Sequence, residues 1–136
     1  MESKIIDQLF LLKQKCLQTE IEIGSEMGLS YREILGIGAL KENETIDCNT
    51  LSEVMGLSKS RGSRVIDNLI NKGYLSRKVS KFDRRAVEIS LSKKGNICKK
   101  SIEMIKKKCE KKIESSLNNQ QKKNINEGLK ILNEIL

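Results

Sequence analysis

Apolar positions in this chain recur at helical spacing towards both ends and alternate at strand spacing only in the middle. Across residues 3–23, Ile5, Ile6, Leu9, Leu12, Cys16 and Leu17 fall at three- and four-residue steps, which predicts an amphipathic first helix fraying into Gly24 and Gly28. Ser30-Tyr31-Arg32-Glu33 has capping-box spacing and opens a second helix through Ile34, Leu35, Ile37 and Leu40. Gly36 and Gly38 inside it cost roughly 1 kcal/mol each relative to Ala, so they are expected to admit a closely packed neighbour. Lys41–Asn49 is a polar loop with room for a short strand at Ile46–Cys48. Thr50-Leu51-Ser52-Glu53 repeats the capping-box spacing and starts a short helix with Leu51, Val54 and Met55 apolar. Gly56-Leu57-Ser58 then turns the chain into another helix, capped by Ser58, with Val65, Ile66, Leu69 and Ile70 on its apolar side and its end at Gly73. Two short helices joined by a three-residue glycine-containing turn form a helix-turn-helix.

Beyond Gly73 the period changes. Leu75–Val79 and Ala86–Leu91 are short extended runs, the second with Val87, Ile89 and Leu91 alternating against Glu88 and Ser90. They flank a charged tip, Lys81-Phe82-Asp83-Arg84-Arg85, and together predict a β-hairpin. Ser92 caps a long helix to about Ser116, striped by Ile102, Ile105, Cys109, Ile113 and Leu117. Asn118 and Gln121 mark a last start, followed by Ile125, Leu129, Leu132 and Leu136. The fold class expected is mainly α with a small β-hairpin wing (α+β). A winged helix-turn-helix at 30–91 is flanked by helices at 1–23 and 92–136 within one domain spanning 1–136. The narrow apolar stripes of the flanking helices lack partner surface within one short chain, so a second copy is expected to cover them as a homodimer.

Charge sharpens this picture. Residues 1–58 are net −5, residues 59–112 net +13 and residues 113–136 neutral, within a total of +8. Over Lys59–Arg85 alone there are nine Lys/Arg and two Asp/Glu. A basic helix beside a basic hairpin is a footprint for an anionic partner and can reach two grooves of a duplex. With 3% aromatic residues the chain lacks a stacking platform for single strands. No apolar run is long enough for a membrane span or a signal sequence, so a cytoplasmic protein without a membrane partner is expected. Four scattered cysteines and no histidine argue against a zinc site and against any cofactor, and no nucleophile–base pair or glycine-rich phosphate loop suggests an enzyme.

Turning the Ser58-capped helix by about 100° per residue points Ser60, Arg64 and Asn71 away from its apolar side, with Arg61, Ser63 and Asn68 on the flanks. Arg64 is the best candidate for guanine O6/N7 or a phosphate, Ser60 and Arg61 follow, and Asn68 can pair with adenine.

Ser52–Leu75 followed by Asp83–Gly95 resembles the winged helix-turn-helix of the MarR (multiple-antibiotic-resistance regulator) family of bacterial transcription regulators. A Gly-Leu-Ser turn, a Gly-ended recognition helix and an Asp-Arg-Arg tip leading into Leu-Ser-x-x-Gly fall in register, and the flanking helices are similar too. The resemblance implies groove and phosphate contacts for Ser58, Ser60, Arg61, Ser63 and Arg64. It implies minor-groove insertion for Arg85, oriented by Asp83, with Arg84 as the alternative; Lys59, Arg77, Lys78 and Lys81 would then neutralise phosphates. Gly62 departs from the family, which usually has an apolar residue there.

What the resemblance implies is a homodimeric double-stranded DNA-binding regulator, a repressor on a pseudo-palindromic operator, released by a small-molecule effector. Other family members respond to thiol oxidation. Here the redox candidates are Cys16, offset from the family position near Leu9 or Phe10, and Cys48, placed for activation by a helix start at Thr50. A helical dimeric adaptor for an acidic protein is the competing expectation, and it leaves the wing arginines without a purpose.

Overall fold

Local capping chemistry sets most helix boundaries. In the computed structural model, which describes residues 3–136, Ser30 Oγ accepts the Glu33 N–H at 3.2 Å while the Glu33 carboxylate accepts the Ser30 N–H at 3.1 Å. This reciprocal pair opens α2 (Tyr31–Ala39). The helix before it, α1 (Ile5–Met27), runs past its expected end at residue 23 and stays helical through Gly24. It stops at Gly28, whose φ of +69° suits the left-handed turn, and the Leu29 N–H returns to the Gly24 carbonyl at 2.7 Å. Of the two glycines in α2, only Gly36 fits the close-packing expectation: a Cβ there would lie 2.9 Å from Met55 Sδ, whereas Gly38 faces open space.

The loop after α2 ends in strand β1 (Ile46–Asp47), one residue shorter than expected, because Cys48 begins α3 (Cys48–Val54). Asp47, not Thr50, caps that helix. Its carboxylate accepts the Thr50 N–H at 2.8 Å and the Thr50 hydroxyl at 2.7 Å. Pairing with the later strand Val87–Leu91 holds Asp47 extended just before the helix, the backbone conformation an N-cap needs. The Thr50 N–H, followed by its hydroxyl, holds the Asp47 carboxyl below its ordinary value of 3.8. A depressed carboxylate stabilises the fold fully above its unfolded value and loses that contribution as pH falls through the folded one. Acid unfolding curves of Asp47→Asn should therefore diverge from wild type above about pH 4 and converge below it; a constant offset between the curves at every pH would contradict this.

Recognition helix α4 (Lys59–Asn71) starts where Ser58 Oγ accepts the Arg61 N–H at 3.3 Å. It ends ahead of Gly73, which adopts φ +86°. Strands β2 (Leu75–Val79) and β3 (Val87–Leu91) form the hairpin, and the antiparallel sheet has the order β1-β3-β2. The register pairs Leu75 with Leu91, Arg77 with Ile89 and Val79 with Val87, while Ile46 also pairs with Ile89. Ser92 Oγ accepts the Gly95 N–H at 3.0 Å and donates to the Gly73 carbonyl at 2.5 Å, fastening the start of α5 (Lys93–Ser116) to the end of α4. Asn118 and Gln121 form the capping box that opens α6 (Asn119–Ile135).

The chain divides into two compact units, one ending at Ile102 and the other Glu103–Leu136. The core of the first is built from Ile34 and Ile37 of α2 with Leu40 just beyond it, Leu51 and Met55 around α3, Ile66 and Leu69 of α4, and Leu75 and Ile89 of the sheet. Every layer of the helix-turn-helix thus meets in one apolar centre, which fixes how α4 is presented. In the same unit Ile5, Ile6, Phe10, Leu11 and Leu12 of α1 remain exposed. Within the second unit, Ile113, Ile125, Leu129, Ile131 and Ile135 are likewise uncovered. Among the described residues, no helix is long and apolar enough to cross a membrane.

Candidate nucleic-acid interface

The buried side of α4 is Gly62, Ile66 and Leu69, with Val65 and Ile70 only half-buried on its flanks. Gly62 therefore belongs to the core, in a position no side chain occupies. A Cβ there would lie 1.9 Å from Ser52 Oγ and 2.3 Å from Ser52 Cβ, so the glycine lets α4 ride directly on α3. Opposite that seam, Ser58, Lys59, Ser60, Arg61, Arg64 and Asn68 are exposed, and Ser63 is half-buried. The outward face at the start of the helix carries the side chains expected to read a groove.

Two cations hold the other end of α4. Lys72 Nζ lies 3.0 Å from both oxygens of the Glu33 carboxylate, a group only 7% exposed, and 3.4 Å from the Gly28 carbonyl. Lys94 Nζ donates to the Lys72 carbonyl at 2.8 Å and sits 4.4 Å from the centre of the Tyr74 ring. These contacts tie the recognition helix to α2 and α5. Lys72 and Lys94 are thus positioning residues, which sequence pattern alone did not separate from the basic surface. Glu33 was legible only as a cap, although it serves the helix start and the lysine at once.

On the wing, parity decides roles. Arg77 shares its strand face with Leu75 and Val79, opposite Ile89, and its guanidinium reaches Asp67 of α4 at 2.6 Å. This guanidinium, expected at a phosphate, is engaged in an exposed ion pair that braces the hairpin against the helix. Asp67, a lone anion on the outer side of a basic helix, was the available signal. Lys78 takes the other strand face, opposite Glu88, and is exposed.

Lys81, Phe82, Asp83, Arg84 and Arg85 are all exposed at the tip. The Asp83 carboxylate accepts the backbone N–H of Arg85 at 2.9 Å. It shapes the loop that carries Arg85 and leaves the guanidinium free. Among the described residues, Arg61, Arg64, Lys81, Arg84 and Arg85 make no ion pair within 4.0 Å. These five free cations lie on the outer face of α4 and at the end of the hairpin.

Cys16 and Cys109 are exposed, Cys98 is buried and Cys48 is half-buried. Burial is the largest influence on Cys48 and pushes its thiol up; nearby Arg77 opposes the rise, and Asp67 and Asp47 add to it. A raised thiol is the opposite of the activation expected from a helix start, because oxidation proceeds through the thiolate.

Known proteins share this arrangement. The chain aligns with Streptococcus pneumoniae FabT, solved in complex with DNA, at a TM-score of 0.88, with 22% identity over 96% of this chain and 94% of that one. It aligns with Staphylococcus aureus MepR, also solved with DNA, at 0.85, with 16% identity over 99% and 100%. Likenesses at such identities establish the fold. In sequence, the model of the MarR family matches residues 27–86, the stretch from the end of α1 to the wing tip. That match takes in the winged helix as far as the wing tip, 60 of the chain's 136 residues. The transcriptional repressor MprA of Escherichia coli K12 is 26% identical over 87 residues, which is 62% of this chain and 49% of MprA. The chain therefore spans about half the length of the curated relatives it matches. The matched segment contains both groups of free cations, so the MarR-type wing and recognition helix coincide with the charged surface built above.

Proposed function

We propose that this chain is a transcription regulator that binds double-stranded DNA as a homodimer, acting as a repressor on a pseudo-palindromic operator and released by a small molecule. The observation that carries this is the placement of unpaired Arg61, Arg64, Lys81, Arg84 and Arg85 on the outer helix face and hairpin tip, while Lys72, Arg77 and Lys94 are spent on structure. A helix with free arginines near its start suits the major groove, and a cationic hairpin end suits the minor groove beside it. The repressor role of MprA and the DNA complexes of FabT and MepR support the same reading. The uncovered apolar stripes of α1 and α6 support the homodimer, since two copies bury them without further partners.

The test is a titration of the full chain against a duplex selected from a random-sequence pool, followed by fluorescence anisotropy across a salt series. A dimer making six to ten phosphate contacts should lose about 10³–10⁵ in affinity between 50 and 200 mM salt. Failure to bind any duplex at low salt would overturn the proposal. A monomer in sedimentation equilibrium at the binding concentration would overturn its palindromic form.

A further inference from the structure

Phe82 stands at the end of the hairpin with 97% of its surface exposed, more than any other large apolar side chain among the described residues. Nothing in the fold requires a phenyl there, and water penalises it. The loop that carries it is nevertheless closed by hydrogen bonds. Ser80 Oγ accepts the Phe82 N–H at 3.2 Å, and the Asp83 carboxylate accepts the Arg85 N–H at 2.9 Å. The Asp83 carbonyl accepts the Ala86 N–H at 3.0 Å, and the Ala86 carbonyl accepts the Ser80 N–H at 2.9 Å. The ring is therefore held outward by an ordered turn, with Val79 behind it also 58% exposed.

The surroundings of the ring identify what it can meet. Lys81, Arg84 and Arg85 stand with it in the tip, and the tip's one anion, Asp83, is occupied by the loop's own backbone. An apolar centre rimmed by cations complements a surface with an apolar interior between two lines of negative charge. A duplex minor groove has that form once a step opens: phosphates along both rims, base edges on the floor, and apolar base faces stacked behind them. Proteins that enter this groove often press an apolar side chain between adjacent base pairs and open the stack.

Resting on the duplex-binding function proposed above, we infer that Phe82 is an apolar wedge that the wing presses into a minor-groove base step beside Arg85, unstacking it and bending the DNA. The two side chains then divide the work. Arg85 contributes charge, which salt weakens; Phe82 contributes apolar burial, which salt leaves nearly unchanged.

The experiment compares wild type, Phe82→Ala, Phe82→Leu and Arg85→Ala on the selected duplex. It measures affinity, salt slope, end-to-end energy transfer for bending, and the fluorescence of 2-aminopurine placed in turn at each adenine. Phe82→Ala should bind about tenfold more weakly with an unchanged salt slope, a straighter duplex and no 2-aminopurine brightening. Phe82→Leu, which keeps an apolar wedge, should recover most of the affinity and the bend. Arg85→Ala should lower affinity and slope together. Wild-type affinity, bending and 2-aminopurine signal in Phe82→Ala would overturn the wedge while leaving duplex binding intact. Loss of capture of an acidic protein with unchanged duplex binding would also overturn it, in favour of protein docking at the tip. No binding by wild type itself would instead remove the duplex-binding function on which the wedge rests.

Discussion

Gly62→Ala is expected to destabilise the winged unit by about 2 kcal/mol, although alanine is the better helix former by about 1 kcal/mol. The new methyl would lie 1.9 Å from Ser52 Oγ, 2.3 Å from Ser52 Cβ and 3.0 Å from Ser52 Cα. Rotating the hydroxyl does not relieve this, because Cβ is already too near and Ser52 is 1% exposed, with its hydroxyl held by the Cys48 carbonyl at 2.7 Å. The remaining response is to move α4 off α3, which opens the packing around Ile66 and Leu69. Urea unfolding measures the loss. Ser52→Gly removes Oγ and Cβ and should restore much of the stability in the Gly62→Ala background, although alone it costs about 1 kcal/mol as a helix-interior glycine. Additive losses in that double-mutant cycle would mean that the α3–α4 seam does not set the spacing. DNA affinity of Gly62→Ala should fall further than its stability predicts, since the displaced helix is the one that presents Arg61 and Arg64.

The same glycine shows where sequence stops being informative. The helices of the winged unit, the hairpin and the caps at Ser30, Ser58 and Asn118 rest on contacts within a few residues, and spacing alone located them. Gly62 read as a departure from an apolar position because its partner, Ser52, lies across a turn and only the packed fold brings them together. Asp47 and Thr50 both head an acceptable cap sequence; pairing of β1 with β3 chose Asp47. For α1, periodicity gave the stripe but not the end, which the left-handed Gly28 determines rather than the earlier Gly24. Among the candidate site residues, exposure at the start of α4 followed directly from the helical wheel. What the wheel and the charge count could not supply was employment. Lys72, Lys94 and Arg77 look like Arg64 and Arg85 in a list of cations, and only tertiary contacts distinguish bracing cations from free ones.

That distinction yields the largest expected change in DNA binding. Arg85→Ala should weaken duplex binding about a hundredfold, taking each groove-reading arginine as worth about 1–3 kcal/mol and counting one in each protomer of the proposed dimer. The salt slope should fall by about 2, again one per protomer. Arg77→Ala removes the same formal charge from the same hairpin, yet Asp67 already neutralises that guanidinium at 2.6 Å. Removing it also frees the Asp67 carboxylate at the helix surface, so affinity should drop modestly through a loosened hairpin and one uncovered anion. The slope should change far less than in Arg85→Ala. Arg85→Lys separates charge from shape: it should retain most of the slope while losing much of the affinity, because an ammonium lacks the flat, weakly hydrated guanidinium that suits a narrow groove. Sedimentation should show the same dimer for all three variants, since none touches the apolar stripes of α1 or α6. If Arg77→Ala and Arg85→Ala reduced affinity and slope equally, the division between bracing and reading arginines would be wrong. The hairpin would then act as a diffuse positive patch, with no single side chain placed in the groove.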